Sequence, residues 1–166
     1  NFCAIEMSSL YMDIRKDTLY TFAADSLERR SAQTAMHHIL ETLVRLLAPV
    51  LVHTTDEVWQ NMEEELESVH LASWPELPDE WNDADLLEKW GKVLHGRSEV
   101  TRCIERVREE GVVGNSLQAS ITICAEADDI RSLLEENLSA LPELFIVSEV
   151  KLTNTPPEGA TAGTDM

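Results

Sequence analysis

A chain of 166 residues suffices for one ordinary domain with a small appendage, and 43% hydrophobic residues can build a core, which excludes a disordered chain. Thirteen basic residues against 31 acidic ones leave a net charge of −18, which on electrostatics alone argues against a nucleic-acid partner. No run approaches the roughly 18 apolar residues of a bilayer span, and the start Asn1-Phe2-Cys3-Ala4 lacks the pattern of a signal peptide. Cys3, Cys103 and Cys124 are odd in number, far apart and without a C-x-x-C pair, which argues against a disulfide framework or zinc ribbon and for reduced thiols in a cytoplasmic setting.

Along the chain, Phe2, Ile5, Leu10 and Ile14 predict a helix over 2–16, irregular in its spacing, and 17–24 reads as a turn or short link. Asp25 or Ser26 then caps a long helix with apolar residues at Ala35, Met36, Ile39, Leu40, Leu43, Val44, Leu46 and Leu47. Pro49 ends or kinks it. Thr54 stands three residues before Glu57, capping-box spacing, and a third helix is expected from about 55 to 65, its Glu63-Glu64-Glu65 run in solvent. Pro75 and Pro78 mark 66–82 as a surface connection, pinned by Trp74 with Trp81 as a second anchor.

Asn82 or Asp83 caps the next helix, which runs to about 110 on a stripe of Leu86, Leu87, Trp90, Val93, Leu94, Val100, Ile104 and Val107. Gly111 to Gly114 ends it. The period then changes from 3.6 to 2, with Ala119, Ile121 and Ile123 alternating against Ser120, Thr122 and Cys124 in a strand. Asp128 caps a helix carrying Ile130, Leu133, Leu134, Leu138 and Leu141, and Phe145 to Leu152 reads as a second strand. The fold class is therefore mainly α, a helical bundle over 1–112 with a small β-α-β subdomain over 113–152 and a disordered tail over 153–166.

The acid is unevenly spread. Residues 1–60 hold 5 basic and 8 acidic residues, 61–85 hold 0 and 9, 86–111 hold 6 and 5, and 112–166 hold 2 and 9. The bundle helices are thus nearly neutral, and a local basic face can exist there.

Arg15 and Lys16 lie at a helix end near Tyr11 and Tyr20, where cations beside aromatic rings suit phosphate contact and base stacking; the alternative is compensation of a helix dipole. Arg29 and Arg30 open the long helix, where positive charge opposes the dipole, so each needs a partner: Asp25, Glu28 or a phosphate. Gln33 offers an amide donor and acceptor to a base edge, or is a solvated polar residue. Arg97 falls on an apolar stripe and calls for an ion pair, with Glu99 and Glu105 the nearest acids. The five histidines have no metal-ligand spacing, the 63–67 acids lack a calcium-loop pattern, and no nucleophile-plus-base spacing is visible.

The order of residues carries more than the periodicity. Arg29 to Trp59, RRSAQTAMHHILETLVRLLAPVLVHTTDEVW, resembles the anticodon-binding region of isoleucyl-tRNA synthetases. Ser9 to Tyr20 is similar to that family's aromatic–Asp–x–x–Lys–Asp–x–x–Tyr segment, His70 to Pro75 to its HLADWPE piece, and Arg97 to Glu105 to its RGEVNKxIE helix, followed by a Gly–x–Ser–Leu–x–Ala turn at Gly114 to Ala119. The likeness covers about residues 1 to 152. It implies the anticodon-binding bundle of class Ia synthetases, with Lys16 among the anticodon-facing positions; Arg15, Arg29, Arg30 and Gln33 are the further candidate tRNA contacts read from the residues above.

The same resemblance implies a parent enzyme that joins isoleucine to its tRNA with ATP and magnesium, and in some members a zinc module. No HIGH-like or KMSKS-like signature, editing domain or cysteine-rich module is present, and the chain starts at Asn1, so a fragment without catalytic residues or cofactors is expected. Its expected partners are isoleucine tRNA and the parent's catalytic and editing domains, with no membrane. Two rivals stand: the equivalent domain of a valyl or leucyl enzyme, and an acidic helical protein-interaction module, which the charge of −18 favours.

Overall fold

The structure, a computed structural model, describes residues 1–62 and 66–160; the predicted acidic run 63–65 and the tail residues 161–166 lie outside them. The chain divides into two compact units, Arg15–Asn82 and Asn1–Ile14 with the chain from Asp83 on. Both are built mainly from helices, with a single two-stranded sheet among the described residues.

In the unit Arg15–Asn82, the segment expected as a link forms a short helix, α1 (Lys16–Thr21), which packs on α2 (Leu27–Leu47). Each contributes a buried small residue, Thr18 and Ala32. Six residues are too few to show an apolar period, and packing rather than propensity holds such a helix. Of the two candidate caps for α2, Ser26 is the one used: its Oγ accepts from the Arg29 amide at 3.3 Å. The helix ends before Pro49 as expected, at Leu47.

α3 spans Val52–Gln60, and its start corrects the capping-box expectation. The amides of Val50 and Leu51 donate back to the Leu47 carbonyl at 2.9 and 2.8 Å, so the chain turns at once and resumes helix at Val52. Thr54 is therefore inside the helix, and Thr55 is buried with its hydroxyl donating to the Leu51 carbonyl at 2.9 Å. The end comes at Gln60, where Asn61 turns back on the Glu57 carbonyl.

Trp59 is the centre of this unit. It is 1% exposed, packs with Val44, Ala48 and Val69, and donates its indole N–H to the Leu66 carbonyl at 2.8 Å. The Arg45 guanidinium lies 4.8 Å from its ring centre and pairs with Glu41 at 2.7 Å. Asp56, one turn before Trp59, accepts from Ser68 Oγ at 2.5 Å and from the Val69 amide at 3.2 Å, while His70 Nε2 lies 3.2 Å from the Val52 carbonyl. The connection is thus anchored by Val69, in a 3₁₀ turn Val69–Leu71. The expected anchor Trp74 is 66% exposed, and Trp81 is half-exposed with its ring edge-on to His38 at 4.9 Å.

In the other unit, the opening helix Cys3–Met12 is a π-helix, with the Met7 amide and the Ser9 hydroxyl both bonded five residues back. Asp83 caps α4 (Ala84–Glu109) through the Leu86 amide at 2.9 Å, and Gly111 ends it at φ 75°. Only part of the expected stripe is used. Val93 and Ile104 are buried with Leu94 and Val100 against them, whereas Leu86 and Leu87 are exposed.

β1 (Ser120–Cys124) pairs in parallel with β2 (Glu149–Thr153), Ser120 opposite Glu149 and Cys124 opposite Thr153. The crossover between them holds α5 (Asp128–Glu136) and α6 (Leu141–Phe145). The second strand therefore starts four residues later than the sequence suggests. Pro142 in the first turn favours helix, and Ile146 at φ 56° turns the chain sharply toward β2. Asp128 is the first residue of α5 and makes no side-chain cap. Leu141, Leu144 and Phe145 complete the core with Ile130, Leu133 and Leu134.

Arg97 has a different solution from the expected ion pair. Its Nε donates to the Leu144 carbonyl at 3.0 Å, one of the carbonyls that the short α6 leaves without a partner in its own helix. Glu99 pairs with Arg102, and Glu105 with Arg108 at 2.7 Å.

The hydrogen bond from Ser68, followed by that from the Val69 amide, holds the Asp56 carboxyl below the usual carboxylate range. A folded-state pKa below the unfolded value adds stability above the unfolded pKa, and that stability is lost as pH falls through the folded one. Asp56→Asn is therefore expected to melt below the wild type near pH 6, with the gap closing below about pH 4. Thermal melts followed by circular dichroism across that range check this.

Candidate nucleic-acid interface

The five basic and polar residues singled out by sequence all fall in the unit Arg15–Asn82, at the start of α1 and on the first turns of α2. Arg15 immediately precedes α1 and is half-buried, while Lys16 is its first residue and is exposed. Both therefore sit at the N-terminal end of α1, where positive charge opposes the helix dipole rather than offsetting it. The opening helix ends directly before Arg15, so compensation of that helix's C-terminal dipole stands as the alternative to phosphate contact.

Arg29 and Arg30 adjoin in sequence but separate in space, since consecutive helical residues point about 100° apart. Arg29 is half-buried and turns back to the end of α1: its Nη1 donates to the Phe22 carbonyl at 2.9 Å. Neither Asp25 nor Glu28 takes the role expected of an acidic partner. The contact joins the carbonyl that follows α1 to the first turn of α2, and so sets the loop between them. Arg29 Nε is buried and has no hydrogen-bond partner among the described residues.

Arg30 points elsewhere. With Gln33, Thr34 and His37 it lines a shallow open depression on the exposed side of α2. Positions 30, 33, 34 and 37 lie three and four apart, so they form one continuous face. Among the described residues no side chain pairs with the Arg30 guanidinium. The Thr34 hydroxyl donates to the Arg30 carbonyl at 2.9 Å, which leaves its oxygen as an acceptor toward solvent. The His37 ring meets the His38 ring edge-on at 5.7 Å. His38 faces another way, toward Glu41 at 3.7 Å and Trp81.

The structure thus brings Arg30 and Gln33 together and sets Arg29 apart from them. Thr34 and His37 were not singled out by sequence. Their signal was present, because polar residues recur at 30, 33, 34 and 37 with the same period as the apolar face opposite. Among the described residues no three His, Cys, Asp or Glu side chains are grouped so as to hold a metal ion, and no helix is long and apolar enough to cross a membrane.

These contacts give the two arginines different expected behaviour. Arg29→Ala should lower the unfolding free energy by about 1 kcal/mol, the usual worth of a hydrogen bond. Arg30→Ala should leave it within about 0.5 kcal/mol, as surface substitutions do. Urea titrations of the two variants measure the difference.

Comparison with known proteins identifies the family. A family model described as the anticodon-binding domain of tRNA ligase matches residues 1–123. The chain is 45% identical over 162 residues to an isoleucine–tRNA ligase of Syntrophotalea carbinolica, covering 97% of this chain and 18% of that protein. It is 48% identical over 156 residues to one of Halalkalibacterium halodurans, 93% and 17% covered, and 41% identical over 160 residues to one of Thermotoga maritima, 95% and 17% covered. The chain spans less than a fifth of the length of these relatives. With more than half of its residues matched, the chain belongs to the family of anticodon-binding domains of tRNA ligases.

Proposed function

We propose that this domain binds the anticodon stem and loop of isoleucine tRNA and belongs to an isoleucine–tRNA ligase. The observation that carries the reading is the exposed Arg30 face on α2, with exposed Lys16 at the start of α1 in the same compact unit, both within the segment matched as an anticodon-binding domain. The relatives named above are isoleucine–tRNA ligases, which favours isoleucine over the valine and leucine alternatives.

In this reading Lys16 and Arg30 meet phosphates, and Arg15 adds charge at the same helix end. Arg29 acts through Phe22 as a positioning residue. The domain contributes orientation: holding the anticodon end fixes where the rest of the tRNA lies relative to the parent's other domains, which converts a free encounter into a placed one. Bond making belongs to catalytic and editing domains of the parent. ATP and magnesium are assigned to those domains on the family resemblance. A cytoplasmic location follows from the same proposal.

Few cations are available, so the salt response is a direct count of them. Each phosphate neutralised contributes about −0.7 to −0.9 to the slope of log K against log salt. Isoleucine tRNA should bind more tightly at low salt than a transcript with an altered anticodon. Lys16→Ala and Arg30→Ala should each weaken binding and reduce the slope by about one such unit. Fluorescence anisotropy over a salt series reads both effects. Equal, feeble binding of both RNAs would overturn the proposal.

A further inference from the structure

The depression on α2 offers more than a phosphate contact. Gln33 presents both an amide donor and a carbonyl acceptor, and Thr34 presents an acceptor, because its hydroxyl proton is committed to the Arg30 carbonyl at 2.9 Å. His37 supplies a flat ring at one end, Arg30 a cation at the other, and Arg30 has no side-chain partner among the described residues. The Gln33 carbonyl and NH2 lie side by side, with the Thr34 oxygen as a further acceptor, and together they suit an edge where an N–H-bearing amine stands beside a ring-nitrogen acceptor. That is the edge of adenine or cytosine, with its exocyclic amine.

We propose that the Arg30–Gln33–Thr34–His37 face of α2 seats one unpaired nucleobase bearing an exocyclic amine. Gln33 and Thr34 meet the amino edge, His37 stacks on the ring, and Arg30 holds the adjoining phosphate. The inference rests on the tRNA-binding reading above and adds which part of the RNA meets this face. An amide bonding in two places to one base edge is the usual way a Gln or Asn selects an amino base. Ring stacking is the usual way a protein holds a base out of its helix. The face is open and shallow, so it suits a single base displaced from a loop and not a paired stem.

The test uses isoleucine tRNA transcripts in which each anticodon-loop base is replaced singly by uridine, titrated against the wild type and four variants. His37→Ala should weaken binding about tenfold, the scale of one stacked base, and His37→Phe should restore it. Gln33→Ala should lose affinity for the unmodified transcript but not for one substituted transcript, namely that lacking the seated amine. If Gln33→Ala and His37→Ala bind every transcript within twofold of wild type while Arg30→Ala and added salt still weaken binding, the base seat is wrong and the tRNA reading stands. If the wild type binds no transcript, both fall. Circular dichroism of each variant guards against loss of fold, which these exposed positions should not cause.

Discussion

A nine-residue helix cannot hold itself together in water, and α3 does not try to. It is held by two side chains one turn apart, Trp59 and Asp56, both of which reach the chain that follows. The indole N–H finds the Leu66 carbonyl, and the carboxylate finds Ser68 and the Val69 amide. Val69 then closes the core over Val44, near the end of α2, and Ala48 just after it. Near the start of α2 the buried residue is Ala32, and the residues on the other side of the helix there, Arg30, Gln33, Thr34 and His37, stay in solvent. The block whose order resembles the synthetase family, Arg29 to Trp59, thus includes two anchors of this arrangement, Asp56 and Trp59.

The long elements were legible because their signals repeat. α2 and α4 show an apolar residue every three or four positions over many turns, and each begins at a side-chain cap, Ser26 or Asp83. The change of period at Ala119 revealed β1 in the same way. The short elements were not legible, each for its own reason. α1 has too few residues to display a period, and α6 occupies apolar residues that equally suit a strand. At α3, Thr54 and Glu57 have capping-box spacing by coincidence, because the turn after Pro49 had already restarted the helix. Arg97 was read as needing an acid, whereas a helix-end carbonyl serves a half-buried guanidinium as well. At the site, Arg29 and Arg30 looked equivalent, and only the Phe22 carbonyl separates the positioning residue from the exposed one.

Acidity and RNA binding coexist here because net charge is a sum and binding is local. The charge of −18 draws heavily on the 61–85 connection and on residues beyond 112, while residues 1–60 are close to balanced. Family membership removes the rival of a protein-interaction module without any RNA role suggested by that charge. What the acidity does impose is weakness. With few cations facing solvent on α1 and α2, electrostatic attraction is small and falls within a short screening distance. On the proposed reading, any discrimination by this face rests on shape and hydrogen bonds more than on charge.

The central claim, that the exposed side of α2 with the start of α1 is where RNA docks, is tested most directly by nuclear magnetic resonance. An isotope-labelled sample of this chain is titrated at low salt with a hairpin of the isoleucine tRNA anticodon stem and loop. Shifts concentrated at Lys16, Arg30, Gln33, Thr34 and His37, with residues 119–153 unmoved, are the predicted result. Shifts centred on β1, β2 and α5, or none at any RNA concentration, would contradict it.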